Sequence, residues 1–187
     1  MIYAIENHTL SQRELNLSAM QLGDAEVKTL ADALCSSESI QITRLDLSRN
    51  RFGPKGAKAL ACWLARTQTL EELILEENSI KSDGLIYLAD ALITNKSLKT
   101  LNFNFNKIED EGAIYLIRVL TLATQLIDIY GIQTASTNTQ TTLALLSLES
   151  FGNFIEPLTE FNLSQAIETL NHTRQKCLQQ DKTVQRI

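Results

Sequence analysis

Apolar and polar positions along this chain recur in blocks of 28 residues. One block runs Ile42, Leu45, Leu47, Asn50, Phe52; the next Leu70, Leu73, Leu75, Asn78, Ile80; a third Leu98, Leu101, Phe103, Asn106, Ile108. A repeat on this scale fixes the architecture before any local propensity does. Each block opens with the alternation of a short strand, as in Leu73-Ile74-Leu75, and continues at helical spacing. The helical halves are Ala57, Leu60, Ala61, Leu64; Leu85, Leu88, Ala89, Leu92; and Ala113, Leu116, Ile117, Leu120. The unit is therefore strand, turn, helix and return loop. A single such unit cannot bury its own apolar face, so the copies must stack. Stacking gives an α/β solenoid, a right-handed βα superhelix with a parallel concave sheet and outer helices.

Smaller signals recur with the same period. Asp24, Ser82 and Asp110 stand where helices should start, with side chains suited to free amides, and Pro54 takes that place in the second copy, compatible with a first helical turn. Gly56, Gly84 and Gly112 would weaken a helix interior, which suggests that the chain there passes too close to its neighbour for a side chain. Asn50, Asn78 and Asn106 fall where the chain leaves the strand and must satisfy backbone groups the sheet no longer serves. An inward carboxamide offers both a donor and an acceptor, so the three are expected to form a ladder along one edge.

The ends depart from the pattern. A first copy is legible in Leu15, Leu17, Leu22, Val27, Leu30, Ala31 and Leu34, two residues longer than the others and with Met20 in place of the Asn. Residues 1–11, including the run Met1-Ile2-Tyr3-Ala4-Ile5, are expected to shield its outer edge, with His8 in an exposed loop. A fifth, decaying copy places Leu126 and Ile129 on a strand, although Gly131 and Thr134 replace the expected Leu and Asn. The repeats are thus assigned to 12–133, and 134–187 to a polar loop and a helical C-terminal cap. Within the latter, Leu143, Leu145, Leu146 and Leu148 suggest a short apolar helix. A last helix is expected from Asn162, with Gln165 completing a capping box and Leu163, Ile167, Leu170 and Cys177 mostly on one side. The alternative for this end is a partner-binding tail, carrying the polar stretch from Gln179 to Arg186.

Composition narrows the function. The chain has 187 residues, 44% hydrophobic, with net charge −5, the size of one ordinary domain. The acidic balance argues against nucleic acid, which demands a basic stripe. No apolar stretch approaches membrane-spanning length, and no basic and apolar leader marks a secretory signal. Cys35, Cys62 and Cys177 show no framework spacing, and a buried, reduced thiol at Cys62 beside Trp63 points to a reducing cytoplasm. His8 and His172 are isolated, and His172 stands five residues before Cys177, a spacing that does not share a helix face. No nucleophile and base pair, zinc site or phosphate-cradling glycine loop can be assembled. The expectation is a protein that is not an enzyme, has no catalytic residues, no metal and no cofactor, and is a monomer.

The pattern Leu-x-x-Leu-x-Leu-x-x-Asn-x-Ile/Phe followed by Gly-Ala/Leu-x-x-Leu-Ala-x-x-Leu resembles the ribonuclease-inhibitor type of leucine-rich repeat, over roughly residues 12 to 133. The resemblance implies a horseshoe segment whose concave face binds a protein partner. It leaves the partner unidentified, since members of the family bind nucleases, GTPases and immune ligands. In layout alone, a short repeat block with an unrelated helical end, the chain is also similar to leucine-rich-repeat effectors that bacterial pathogens deliver into host cells, which would place it in a host cytosol without a classical signal peptide. The Cys-x-Asp nucleophile of ubiquitin-ligase effectors has no counterpart: Cys35 precedes Ser-Ser, Cys62 precedes Trp-Leu, and Cys177 precedes Leu-Gln. The alternative role is an enzyme regulator such as a small-GTPase activator.

The concave face follows from the strand positions between and just after the core leucines. These are Asn16 and Ser18; Arg44, Asp46, Ser48 and Arg49; Glu72, Ile74, Glu76 and Glu77; Thr100, Asn102, Asn104 and Phe105; and, on the decaying copy, Asp128, Tyr130 and Ile132. Neighbouring strands ~4.8 Å apart set Arg44 beside Glu72 and Arg49 beside Glu77, where exposed pairs contribute little. Glu76, flanked by Ser48 and Asn104, is expected to lack an internal mate. Ile74, Phe105 and Tyr130 add apolar and aromatic character of the kind that concentrates binding energy. The candidate site is Glu76, Ile74, Phe105, Tyr130, Asn102, Asn104, Arg44, Arg49 and Glu72, for a basic or mixed protein surface. Two readings of Phe105 and Tyr130 stand: exposed contact residues, or core covered by the returning C-terminal segment.

Overall fold

In each strand between residues 13 and 103 a leucine sits between two side chains that point the other way. The computed structural model describes residues 13–37, 41–130, 147–149, 162, 164–169 and 172, with the backbone alone for 122–130 and 147–149. The strands are β1 (Glu14–Asn16), β2 (Arg44–Asp46), β3 (Glu72–Ile74), β4 (Thr100–Asn102) and β5 (Ser147–Glu149). They form one parallel sheet in sequence order, with Leu15, Leu45, Leu73, Leu101 and Leu148 in register. Between them lie helices α1 (Asp24–Ser36), α2 (Pro54–Leu64), α3 (Lys81–Thr94) and α4 (Asp110–Tyr130). Helices pack about 8–10 Å apart and strands ~4.8 Å, so a row of such units bends with the sheet on its inner side.

The core is the seam between the two layers. Leu45, Leu47, Phe52, Leu60, Leu64, Leu73, Leu75, Ile80, Leu85, Leu88, Leu101 and Phe103 are fully buried in it. Stacking crowds the starts of α2, α3 and α4. At Gly112 a β-carbon would lie 2.9 Å from the Ser82 backbone, and at Gly84 it would lie 2.5 Å from the Ile80 side chain and 3.0 Å from that of Ala57. At Gly56 it would meet the Asp24 and Phe52 side chains at 3.0 Å. The recurring glycines are the price of that close approach.

The asparagine ladder links repeats pairwise. The Asn50 amide donates to the carbonyls of Leu17, Leu47 and Ser48, and its oxygen accepts from the Leu22 amide. Asn78 donates to Leu47, Leu75 and Glu76, and Asn106 to Leu75, Phe103 and Asn104. Each therefore bonds its own turn and the preceding one. Asn95 does the same at the other end of the unit, donating to Leu64 and Thr67 and accepting from Ser97 and Leu98.

Helix capping also works between repeats. Asp24 is the first residue of α1 and caps the next helix instead of its own: Oδ1 accepts from the amides of Gly53 (2.7 Å) and Gly56 (2.8 Å) at the start of α2. Ser82 reaches forward in the same way, its hydroxyl accepting from the Glu109 amide just before α4. Helix α1 is closed by Glu26, whose carboxylate accepts from the Gly23 amide. On the outer face Lys58 lies over the Tyr87 ring, and the Tyr115 hydroxyl donates to Asp90 across α3 and α4.

The C-terminal boundary of the repeats differs from the sequence expectation. Helix α4 runs 21 residues to Tyr130, so Leu126, Asp128, Ile129 and Tyr130 are helical and no strand forms there. The earlier helix α3 stops at Asn95, which ties the loop to the previous repeat; Ala123 stands at the equivalent position and cannot, while Leu116, Leu120 and Ala123 continue the helical spacing. The fifth strand comes from Ser147–Glu149 instead, so Leu148 belongs to a strand and not to an apolar helix; it pairs with Leu101 47 residues earlier. Leu143, Leu145, Leu146, Ile132, Cys177, His8 and the shielding run 1–11 lie outside the described residues. Residues 164–169 are helical, and Ala166 and Ile167 pack against the repeat core.

Candidate partner-binding face

On the inner face two columns of side chains run across the sheet. The first is Glu14, Arg44, Glu72 and Thr100, the second Asn16, Asp46, Ile74 and Asn102. The first column is largely satisfied internally. Arg44 pairs with Glu72, each about one-third exposed, and Lys99 with Glu71 at 2.7 Å. These groups line a shallow polar recess with Glu14 and Thr100, where three carboxylates stand against two cations.

The second column is a set of turn anchors. Asn16 Oδ1 accepts from the amide and hydroxyl of Ser18 (2.9 and 2.7 Å), Asp46 Oδ1 does the same for Ser48 (2.9 and 2.7 Å), and Asn102 Oδ1 accepts from the Asn104 amide (2.9 Å). Each side chain folds onto its own backbone two residues on, competing with further strand pairing. Asn102 is buried at 8% exposure. Ile74 holds the same position and has no acceptor to offer, so β3 carries a half-buried aliphatic side chain where the other strands anchor a turn.

Beyond the strands, Arg49, Glu77 and Phe105 precede the ladder asparagines with φ of 56°, 54° and 55°. This left-handed conformation costs a non-glycine residue about 1–2 kcal/mol. Glycine would remove that cost, yet these positions carry long side chains. Arg49 Nε lies 3.5 Å from Glu77. Phe105 is 43% exposed.

Glu76 has a mate the sequence did not reveal: Asn102 Nδ2 donates to its Oε2 at 3.3 Å. The contact is diagonal, one position off the straight lateral row, and so lay outside the register argument. Of the four glutamates in this repeat, Glu71, Glu72 and Glu77 face cations and Glu76 a neutral amide. Tyr130 ends helix α4 and is not on a strand of the sheet. Asn104 is partly buried, with its amide held by Asn102 and its carbonyl accepting from Asn106 and Glu77. The structure therefore places Arg44, Glu72, Ile74, Glu76, Asn102, Asn104, Arg49 and Phe105 on the strands and turns of adjacent repeats.

The thiols also depart from expectation. Cys62 is exposed on α2, and Cys35 is the partly buried one, with burial pushing its thiol above the usual range. Among the described residues no group of histidine, cysteine and carboxylate side chains is disposed to hold a metal ion, and no helix is long and apolar enough to cross a membrane.

Comparison with known proteins agrees with this geometry. Residues 40–61, 67–89 and 94–116 match the family described as Leucine Rich repeat. These segments are the three blocks that begin on β2, β3 and β4. Among solved structures, the fold is similar to "Leiomodin-1 Actin-Binding Site 2 (ABS2)", with a TM-score of 0.72 and 18% identity over 98% of this chain and 95% of that one. The matched repeats, the parallel sheet and the alternating helices give the protein the fold of a leucine-rich-repeat solenoid.

Proposed function

We propose that this protein is a non-catalytic binding module that grips a partner protein on the inner face of the sheet, around Ile74, Glu76 and Phe105. The observation that carries the reading is the break in the second column. Ile74 gives up a turn-anchoring hydrogen bond that Asn16, Asp46 and Asn102 make, and leaves half-buried aliphatic surface one repeat before the exposed Phe105. Departures from a local structural rule without local compensation mark functional positions. Arg44, Glu72 and Arg49 frame the patch as a polar rim. The C-terminal helical residues act as the cap of the last repeat, by way of Ala166 and Ile167, and the protein works as a monomer.

The ribonuclease-inhibitor subtype is supported by a full helix in each 28-residue unit. Free thiols at Cys35 and Cys62 suit a reducing cytoplasm, whether in the producing cell or, for an effector, in a host; the effector role rests on layout, and the binding mechanism does not depend on it. Actin is one bait to test, because the matched structure is an actin-binding site, although 18% identity conveys a fold and no contact residue. Regulation of a small GTPase is the second. The experiment is affinity capture and direct titration of candidate partners with the wild type and the double variant Ile74→Asn, Phe105→Ala. The expected result is a partner lost by the double variant and retained by a helix-face control, Ile93→Ala. A partner bound equally by all three contradicts the assignment.

A further inference from the structure

From the geometry around Glu76 we infer the chemistry of the partner: a protein segment that presents an arginine next to an apolar side chain. This rests on the inner face being the binding surface, and goes on to say what that face selects. The repeat built on β3 carries four glutamates on its strand and turn. Three are matched by cations of neighbouring repeats: Glu71 by Lys99, Glu72 by Arg44 and Glu77 by Arg49. Glu76 is held by the uncharged carboxamide of Asn102, which contacts Oε2 alone. A carboxylate oriented by a neutral donor keeps its full charge and most of its acceptor capacity.

Its surroundings choose between cations. Ile74 lies two residues before it in the strand, and Phe105 follows Asn104, whose carbonyl accepts from the Glu77 amide. An arginine stem can lie along the isoleucine while the planar fork reaches the carboxylate and stacks on an aromatic ring. A lysine ammonium, compact and strongly hydrated, makes less of such a site. Charge balance over the whole face favours the same partner. Glu14, Asp46, Glu72, Glu76 and Glu77 outnumber Arg44 and Arg49, so a cationic segment is drawn in and an acidic one repelled.

The probe is a displayed library of random short peptides, selected on the full chain. The expected winners carry arginine adjacent to a large apolar residue. Their binding falls about tenfold in Glu76→Gln, weakens with rising salt, and weakens when the peptide arginine becomes lysine. Glutamine keeps the size of the side chain and still accepts from Asn102, so an unchanged unfolding midpoint separates lost charge from lost fold. Peptides that need Ile74 and Phe105 but lack a cation, or that bind Glu76→Gln unchanged, overturn the arginine assignment and leave the binding face standing. Enriched peptides insensitive to Ile74→Asn and Phe105→Ala, or no enrichment at all, overturn the face itself and the inference with it.

Discussion

Truncating Asn50 to alanine tests whether the ladder holds the repeats together. Its carboxamide is 7% exposed and serves four backbone groups, at 3.0 Å to Leu17, 2.9 Å to Leu47, 3.1 Å to Ser48 and 2.9 Å from Leu22. Two hydrogens shared among three carbonyls plus one accepted bond amount to three hydrogen bonds, each with a net worth of about 1 kcal/mol. The expected loss is about 3 kcal/mol. Asn78 supplies an internal comparison, since its Nδ2 repeats the three donations while its Oδ1 has no partner. Asn78→Ala should therefore cost about 2 kcal/mol, less by the one bond to Leu22. Asn50→Asp is the sharper perturbation. A carboxylate there still accepts from Leu22 but points an anion at three carbonyl oxygens, so its folded-state pKa must rise above the ordinary ~3.9. The variant then binds more protons folded than unfolded, and its deficit against wild type grows as pH rises above the unfolded value and shrinks below it. Guanidinium unfolding at constant m reads all three. If Asn50→Ala falls within about 0.5 kcal/mol of the exposed control Arg51→Ala, the ladder does not support the stack.

Three further outcomes follow from the packing. Gly112→Ala should destabilise by about 1–3 kcal/mol through overpacking against the Ser82 backbone, in spite of alanine's helix propensity; a raised melting temperature would contradict the close approach. Asp24→Ala should cost about 1 kcal/mol and accelerate hydrogen exchange at the Gly53 and Gly56 amides of the next repeat, whereas faster exchange confined to α1 would mean that the cap is local. In a Cys177→Ser background, a maleimide should modify Cys62 before Cys35. Because burial raises the Cys35 pKa, its reaction should also take hold at higher pH than that of a free thiol; equal rates at both sites would refute the difference in burial.

Much of this fold was legible because the repeat is a translation: Leu45, Leu73 and Leu101 occupy equivalent places, so one correct reading of the pattern applies to all. The same logic set Arg44 beside Glu72 and explained Gly56, Gly84 and Gly112 as points of contact. It failed where the translation stops. Leu126 and Ile129 keep the 28-residue spacing of a strand, yet they also fit a helix that has lost its stop signal at Ala123, and the helix prevails. Leu148 could not be found by period, since its strand arrives 47 residues after Leu101. At the site, lateral reasoning paired like positions and missed the diagonal bond from Asn102 to Glu76. It also did not foresee the bond from Asn102 to its own turn, although Asp46 with Ser48 and Asn16 with Ser18 offered the cue: a short acceptor two residues before a polar turn. Tyr130 is helical for the same reason as Ile129, and Cys62, placed inside because it adjoins Trp63, is exposed.

The most direct measurement of the account is a hydrogen-exchange footprint of the protein with any bound partner or selected peptide. Slowed exchange in the turns after the strands, at Ser48, Glu76 and Phe105, with the outer faces of α2 and α3 unchanged, is the predicted result. Protection confined to those helices, with the turns exchanging as in the free protein, would contradict it.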